Sequence, residues 1–204
     1  MSIQITYYGH SCFIISCQNY SIALDPYRPL PGYPPLQIEA NEVHCSHDHT
    51  DHAYTKAVKI IHSGKDPFRV RDYEIPHDDK GGSLRGMNLI RVFEAEGMRV
   101  AHFGDIGCAL PKEYIKLLSG LDAALVPVGG YYTIDAAQAN ALREQIRPRV
   151  FIPMHYRDGE RGFPEIGTLD DFLSLAGPCT RLDTNTIELT KDAPEGVIVP
   201  RFQQ

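Results

Sequence analysis

The stretch "HCSHDHTDH", residues 44–52, holds four histidines and two aspartates in nine positions of a 204-residue chain with nine histidines in all. A lone HxH would read as surface polarity. HxHxDH, set between a strand and a turn, reads as a set of ligands. In an extended loop, side chains at i and i+2 point the same way, so His47 and His49 can reach one ion. Asp51 and His52 begin the next turn and can face a second ion beside the first. Binuclear hydrolytic sites keep their ions roughly 3.5–4 Å apart, and one short loop can serve both. Imidazole nitrogen and carboxylate oxygen suit zinc well. Asp48 and Thr50 alternate away from that face. His44 precedes the loop and belongs to the strand before it.

Those four side chains do not close two sites, since each ion needs a further protein ligand and an open place for water. Three candidates end strand-like runs: His77 in "YEIPHDD", Asp105 in "VAHFGDIG" and His155 in "VFIPMHYR". Strand ends are where ligands must sit if the site lies along one edge of a sheet. Singly, each also reads as a polar residue at a strand terminus. With the loop they make five histidines and two aspartates, enough for two metals.

Working outward, short β-like runs dominate the first half: Ile3–Tyr8, Cys12–Cys17 and Ser21–Leu24, a meander by their spacing. "DPYRPLPGYPPL" (25–36) excludes regular structure through its prolines and is a candidate wall for a substrate. A short strand near Glu42–Cys45 leads into the histidine loop, and a helix-like turn runs to about Val58. Further strand-like runs are Val58–His62, Phe68–Ile75, Met87–Glu94, Met98–Phe103, Ala123–Val128, Val150–Met154 and Arg181–Leu189. Helical patterns fill 111–120, 133–146 with Thr133 as N-cap, and 168–177 with Thr168 as N-cap. No linker or repeat interrupts residues 1–204, so one domain is expected, an α/β or α+β sandwich.

Composition narrows the function. A net charge of −6 argues against a nucleic-acid binder, which would want a basic face. Five scattered cysteines with no CxxC pair read as reduced thiols. The opening "MSIQITYYGH" is no signal peptide, and no apolar run approaches the ~20 residues a membrane helix needs. A cytoplasmic protein without membrane contact is expected; the oligomeric state stays open.

"HDHTDH" resembles the HxHxDH signature of the metallo-β-lactamase superfamily, and His77, Asp105 in "GD" and His155 fall in the order of its later motifs. "ITYYGHSCFIIS…IALDP" and "PVGGYYTIDAAQA…RPRVFIPMHY" resemble the small metal-dependent hydrolases that include L-ascorbate-6-phosphate lactonase. The resemblance implies a four-layer αββα sandwich with the site at one edge of two sheets. It implies one metal on His47, His49 and His77, another on Asp51, His52 and His155, and Asp105 bridging. Relatives of the flavodiiron type carry glutamate where this chain has His49, which favours two zinc ions and hydrolysis, with manganese or iron as alternatives.

A hydroxide bridging the two metals would then attack a small ester, lactone or phosphoester, with Asp51 and His155 as catalytic residues and Asp51 also able to accept a proton. The alternatives are a phosphodiesterase or nuclease of the same fold and a non-hydrolytic metal-binding relative. Asp25 in "ALDP" is the candidate to hold a ligand histidine, beside the plainer reading of an Asp that starts a turn. His10, on the first hairpin turn, is a candidate substrate contact. His102 alternates away from Asp105 and reads as structural or as a partner of the ligands. Tyr131, Tyr132, Tyr156 and Arg157 follow strand ends on the same edge and are candidates for positioning a small-molecule substrate.

Overall fold

Alternation builds the first sheet in the computed structural model, which describes residues 2–203. Strand β1 (Ile3–Gly9) buries Ile3, Ile5 and Tyr7 at every second position, the pattern of a strand with one face on a core. It pairs antiparallel with β2 (Cys12–Cys17), and β2 with β3 (Tyr20–Leu24), so the expected meander forms. After the proline-rich loop come β4 (Ile38–Ala40) and β5 (Glu42–His44), and β5 joins β3 in parallel. The segment after the histidine loop is a 3-10 turn, Thr55–Ala57, rather than a longer helix, and β6 (Val58–Ile60) pairs with β4 as a separate ribbon.

The second sheet opens with antiparallel β7 (Arg69–Pro76), β8 (Met87–Ala95) and β9 (Met98–His102). It continues in parallel through β10 (Ala123–Pro127) and β11 (Val150–Met154), with α1 (Lys112–Leu118) and α2 (Ala136–Ile146) as crossovers. Every residue of β10 and β11 is buried, as expected of parallel strands covered on both faces. Helix α3 (Leu169–Ala176), β12 (Cys179–Arg181), β13 (Thr186–Leu189) and β14 (Gly196–Val199) complete the chain. The sheet orders are β13-β1-β2-β3-β5 and β12-β14-β11-β10-β9-β8-β7.

One apolar core lies between the sheets, where Phe13, Ile15 and Leu24 meet Phe93, Val100, Leu125 and Ile152. A second packs α1, α2 and α3 on the outer face of the larger sheet, with Phe172 stacked on Phe151 at 5.2 Å between ring centres. The outer face of the smaller sheet is closed by Tyr27, Leu30 and Tyr33 of the proline-rich loop and by the β4–β6 ribbon. Sandwich order is thus kept, while loop and ribbon stand where a second helical layer was expected.

Three local expectations need correction. Helix α2 starts at Ala136 with Asp135 as cap, because Ile134 is buried and its backbone is tied to Ile106; Thr133 lies outside the helix. The run 181–189 is two strands in different sheets, split at Asp183–Thr184–Asn185, residue types that favour turns. Strands β4 and β14 were not expected from the sequence at all. All five cysteines are free, and no helix among the described residues is long and apolar enough to cross a membrane.

Candidate metal centre

The histidine loop leaves β5 at one end of the smaller sheet and is tied across to the larger one, since Leu89 N–H donates to the Ser46 carbonyl. There it meets the segments that follow β7, β9 and β11, which carry His77, Asp105 and His155. The donor atoms of His47, His49 and His77 lie within 4.8 Å of one another, and so do those of His10, Asp51, His52 and His155. Asp105 stands between the groups. Its Oδ2 is 3.2 Å from His52 Nε2, 3.3 Å from His155 Nε2 and 3.4 Å from His77 Nε2. The structure therefore brings together all seven residues singled out as ligands, and adds His10.

Burial has left this cluster short of partners. His47 Nε2, His52 Nε2, His77 Nδ1, Asp105 Oδ1 and both ring nitrogens of His155 are buried without a hydrogen bond. Unpartnered buried polar atoms cost roughly 1–3 kcal/mol each, so so many in one place point to an occupant that satisfies them together. Imidazoles and carboxylates converging in this way are the donor set of a divalent cation.

The Beta-lactamase superfamily domain matches residues 4–155, three quarters of the chain. The chain belongs to the metallo-β-lactamase superfamily. Among solved structures it is similar to a candidate Zn-dependent hydrolase of that superfamily from Thermotoga maritima, 32% identical, with 97% of each chain covered and a TM-score of 0.76. A metal-dependent hydrolase from Thermoplasma acidophilum is 27% identical over 86% of this chain and 92% of its own. The metallo hydrolase Igni18 of Ignicoccus hospitalis shares the fold, with a TM-score of 0.64 at 22% identity. The Thermoplasma relative bears the name of a metal-dependent hydrolase.

In this member of the metallo-β-lactamase superfamily the clustered histidines are held from behind. Asp25, at the end of β3, accepts from Ser46 N–H on Oδ1 at 2.6 Å and from Ser46 Oγ–H on Oδ2 at 2.6 Å. Its Oδ2 also accepts from His52 Nδ1–H at 2.7 Å. Ser46 Oγ in turn accepts from His47 Nδ1–H at 2.9 Å. One carboxylate thus sets the tautomer of two histidines and leaves both Nε2 atoms pointing inward. Asp25 is far more than the start of a turn. Burial, which alone would raise its carboxyl, is outweighed by His102, His52 and Ser46, so it stays ionised. Asp25→Ala is expected to weaken zinc uptake by roughly 10–100-fold, read by competition with a chromophoric chelator. Unchanged uptake would show that Ser46 and packing suffice to orient the rings.

Electrostatics set the two rings apart. Burial and the neighbouring His52 push His47 down to about 3, so its ring is neutral at physiological pH. Burial would lower His52 too, but Asp105, Asp25 and Asp51 outweigh it and raise it well above the usual histidine range. The carboxylates of Asp51 and Asp105 are held low by the histidines around them despite burial. His102 is structural: Nε2–H donates to the Ser11 carbonyl at 2.9 Å and Nδ1 accepts from Gly104 N–H at 3.1 Å. Gly104 has φ +52°, and a Cβ there would lie 2.1 Å from Asn88 Oδ1, so the turn that aims Asp105 admits only glycine. Asn88 fixes that turn by accepting from Asp105 N–H at 2.8 Å and donating to the Phe103 carbonyl at 2.9 Å.

Sequence reading missed Asn88, Arg85 and Phe163. Asn88 was detectable, being an amide at an inward position of β8 in register with Ile90 and Val92. Phe163 packs edge-on to His10 and to Tyr132, each at 5.7 Å between ring centres. Arg85 lies over the Tyr132 ring at 5.6 Å. It rides on a loop that Asp78 holds through backbone N–H groups of Lys80, Gly82, Leu84 and Arg85. Tyr131 is exposed and packs edge-on to Tyr132, whereas Tyr156 is buried and lines the same pocket as Tyr7 and Tyr33, which none of the seven clustered residues lines. Arg157 donates to the Ile166 carbonyl.

Proposed function

We propose that the chain is a binuclear metal-dependent hydrolase, with zinc the best match to its donors, that cleaves a small ester, lactone or phosphoester. The observation that carries this reading is the position of Asp105 Oδ2, within 3.4 Å of three imidazole nitrogens from both groups, where a bridging carboxylate would sit. His47, His49 and His77 would hold one ion, and Asp51, His52 and His155 the other. Two ions so held would supply a water of lowered pKa and polarise the bond under attack.

The chain's own residues do the rest. Asp51 is the most open of the inner carboxylates, its side chain 20% exposed against 2% for Asp105, so substrate and water reach the site over it. That position lets its carboxylate take a proton from the attacking water. Phe163 links His10, which faces Asp51, to Tyr132, an aromatic flank on which a small organic substrate would pack. Arg85 makes no ion pair among the described residues and stands at the rim, available to an anionic group of the substrate. The net charge of −6 also speaks for a small molecule over a nucleic acid.

The test is metal analysis of zinc- or manganese-loaded protein beside a panel of ester, lactone and phosphodiester substrates. Two ions per chain, with turnover of at least one class that a chelator abolishes, is the expected result. Fewer than two ions after loading would end the binuclear reading. Fully loaded protein inert toward all three classes would end the substrate assignment.

A further inference from the structure

Two histidines outside the seven are buried beside the site, and they differ in one telling respect. His102 has a partner for each ring nitrogen. His10 is fully buried, and neither Nδ1 nor Nε2 has a hydrogen bond. A histidine kept merely to fill space would be satisfied as His102 is. The backbone around His10 is fastened: its N–H donates to Tyr33 Oη at 3.2 Å, and its carbonyl accepts from His155 N–H at 3.1 Å. The residue is nevertheless in the left-handed region, at φ 53°, in the tight turn between β1 and β2. A non-glycine residue rarely holds that conformation unless its surroundings impose it.

The strained turn aims the ring at the second group of ligands. Its centre is 4.2 Å from that of His155, and its Nε2 is 3.4 Å from Asp51 Oδ2. That oxygen also faces His52 Nε2 at 3.5 Å. We propose that His10 is the positioning residue of Asp51: its Nε2–H, 3.4 Å from Oδ2 and not hydrogen-bonded to it, would engage that oxygen and hold the carboxylate toward the ion shared with His52 and His155. This rests on the binuclear reading above. A direct bond from His10 to that ion is the less apt arrangement. Asp51, His52, His155 and Asp105 already offer four donors, and a fifth would close the place that substrate needs.

Two variants test it, His10→Gln, which keeps an N–H donor near the position of Nε2, and His10→Leu, which keeps the bulk and removes the donor. Each is titrated with cobalt(II) or zinc against a competing chelator, with thermal melts of the metal-free proteins alongside. The second ion of His10→Leu should bind roughly 10–100-fold more weakly, the ion on His47, His49 and His77 unchanged, and His10→Gln should recover most of the loss. Unaltered binding of both ions by His10→Leu overturns the inference. So does a loss that His10→Gln fails to recover together with one imidazole fewer around the metal by X-ray absorption, since that marks a direct ligand. If wild type itself binds fewer than two ions, it is the binuclear reading that has failed.

Discussion

Asp105→Ala is expected to cut hydrolysis by a thousandfold or more and to bring bound metal below two ions per chain. Its Oδ2 is the one atom among the described residues that faces His77 from one group and His52 and His155 from the other, so its removal separates the groups. Correct placement of ions at a reacting centre is worth several kcal/mol, and about 4 kcal/mol corresponds to three decades in rate. The fold should survive. Asp105 pairs with histidines of the site and not with the apolar core, and its neighbours Phe103 and Ile106 stay packed. Circular dichroism of the variant, metal content by atomic emission and single-turnover rates are the measurements. A folded variant with two ions and unchanged turnover would remove Asp105 from the mechanism, and the bridging arrangement with it.

The clustering of the seven residues was legible in the sequence for a reason that does not extend to everything around them. Four of them occupy one short loop, and the other three follow closely on strands whose apolar runs are readable, so topology alone carries them to a common edge. Asp25 was legible on the same ground, as a carboxylate at the end of β3. The companions of Asp25 were not, because Ser46 lies in the loop as an ordinary small polar residue until the fold turns its N–H and Oγ–H toward Asp25. Arg85 was hidden for a related reason: its place depends on a loop organised by Asp78, a long-range consequence of backbone hydrogen bonds that no periodicity reports. His10 was recognised as bordering the site, yet only the folded turn shows that its ring lacks a partner.

The layers of the fold divide in the same way. Helix α3 was recognised with its true cap because Thr168 and Asp171 form a local capping box. Thr133 offered a similar local signal and lost, since Ile134 is drawn into the core and its N–H into a bond with Ile106. Tertiary packing overrode a cap worth about 1 kcal/mol. The outer cover of the smaller sheet followed no periodic pattern either. Prolines prevent a helix there, while Tyr27, Leu30 and Tyr33 still supply the buried apolar surface a helix would have brought.

Two aspartates three positions apart make the sharpest comparison available on this chain. Asp48 is exposed and has no hydrogen bond or ion pair among the described residues. Asp51 is turned inward against His10 and His52. Asp48→Ala should therefore change stability by no more than about 0.5 kcal/mol, as surface substitutions usually do, and leave metal content and turnover within twofold. Asp51→Ala should lose the ion shared with His52 and His155 and most activity, roughly a hundredfold or more if only the water's orientation and its proton acceptor are lost. Because both variants remove the same charge from the same loop, any general electrostatic effect cancels between them. What remains is the difference between facing solvent and facing the site. Equal effects from the two substitutions would mean that the loop contributes charge alone, and the alternation that assigns its residues to two ions would have to be abandoned.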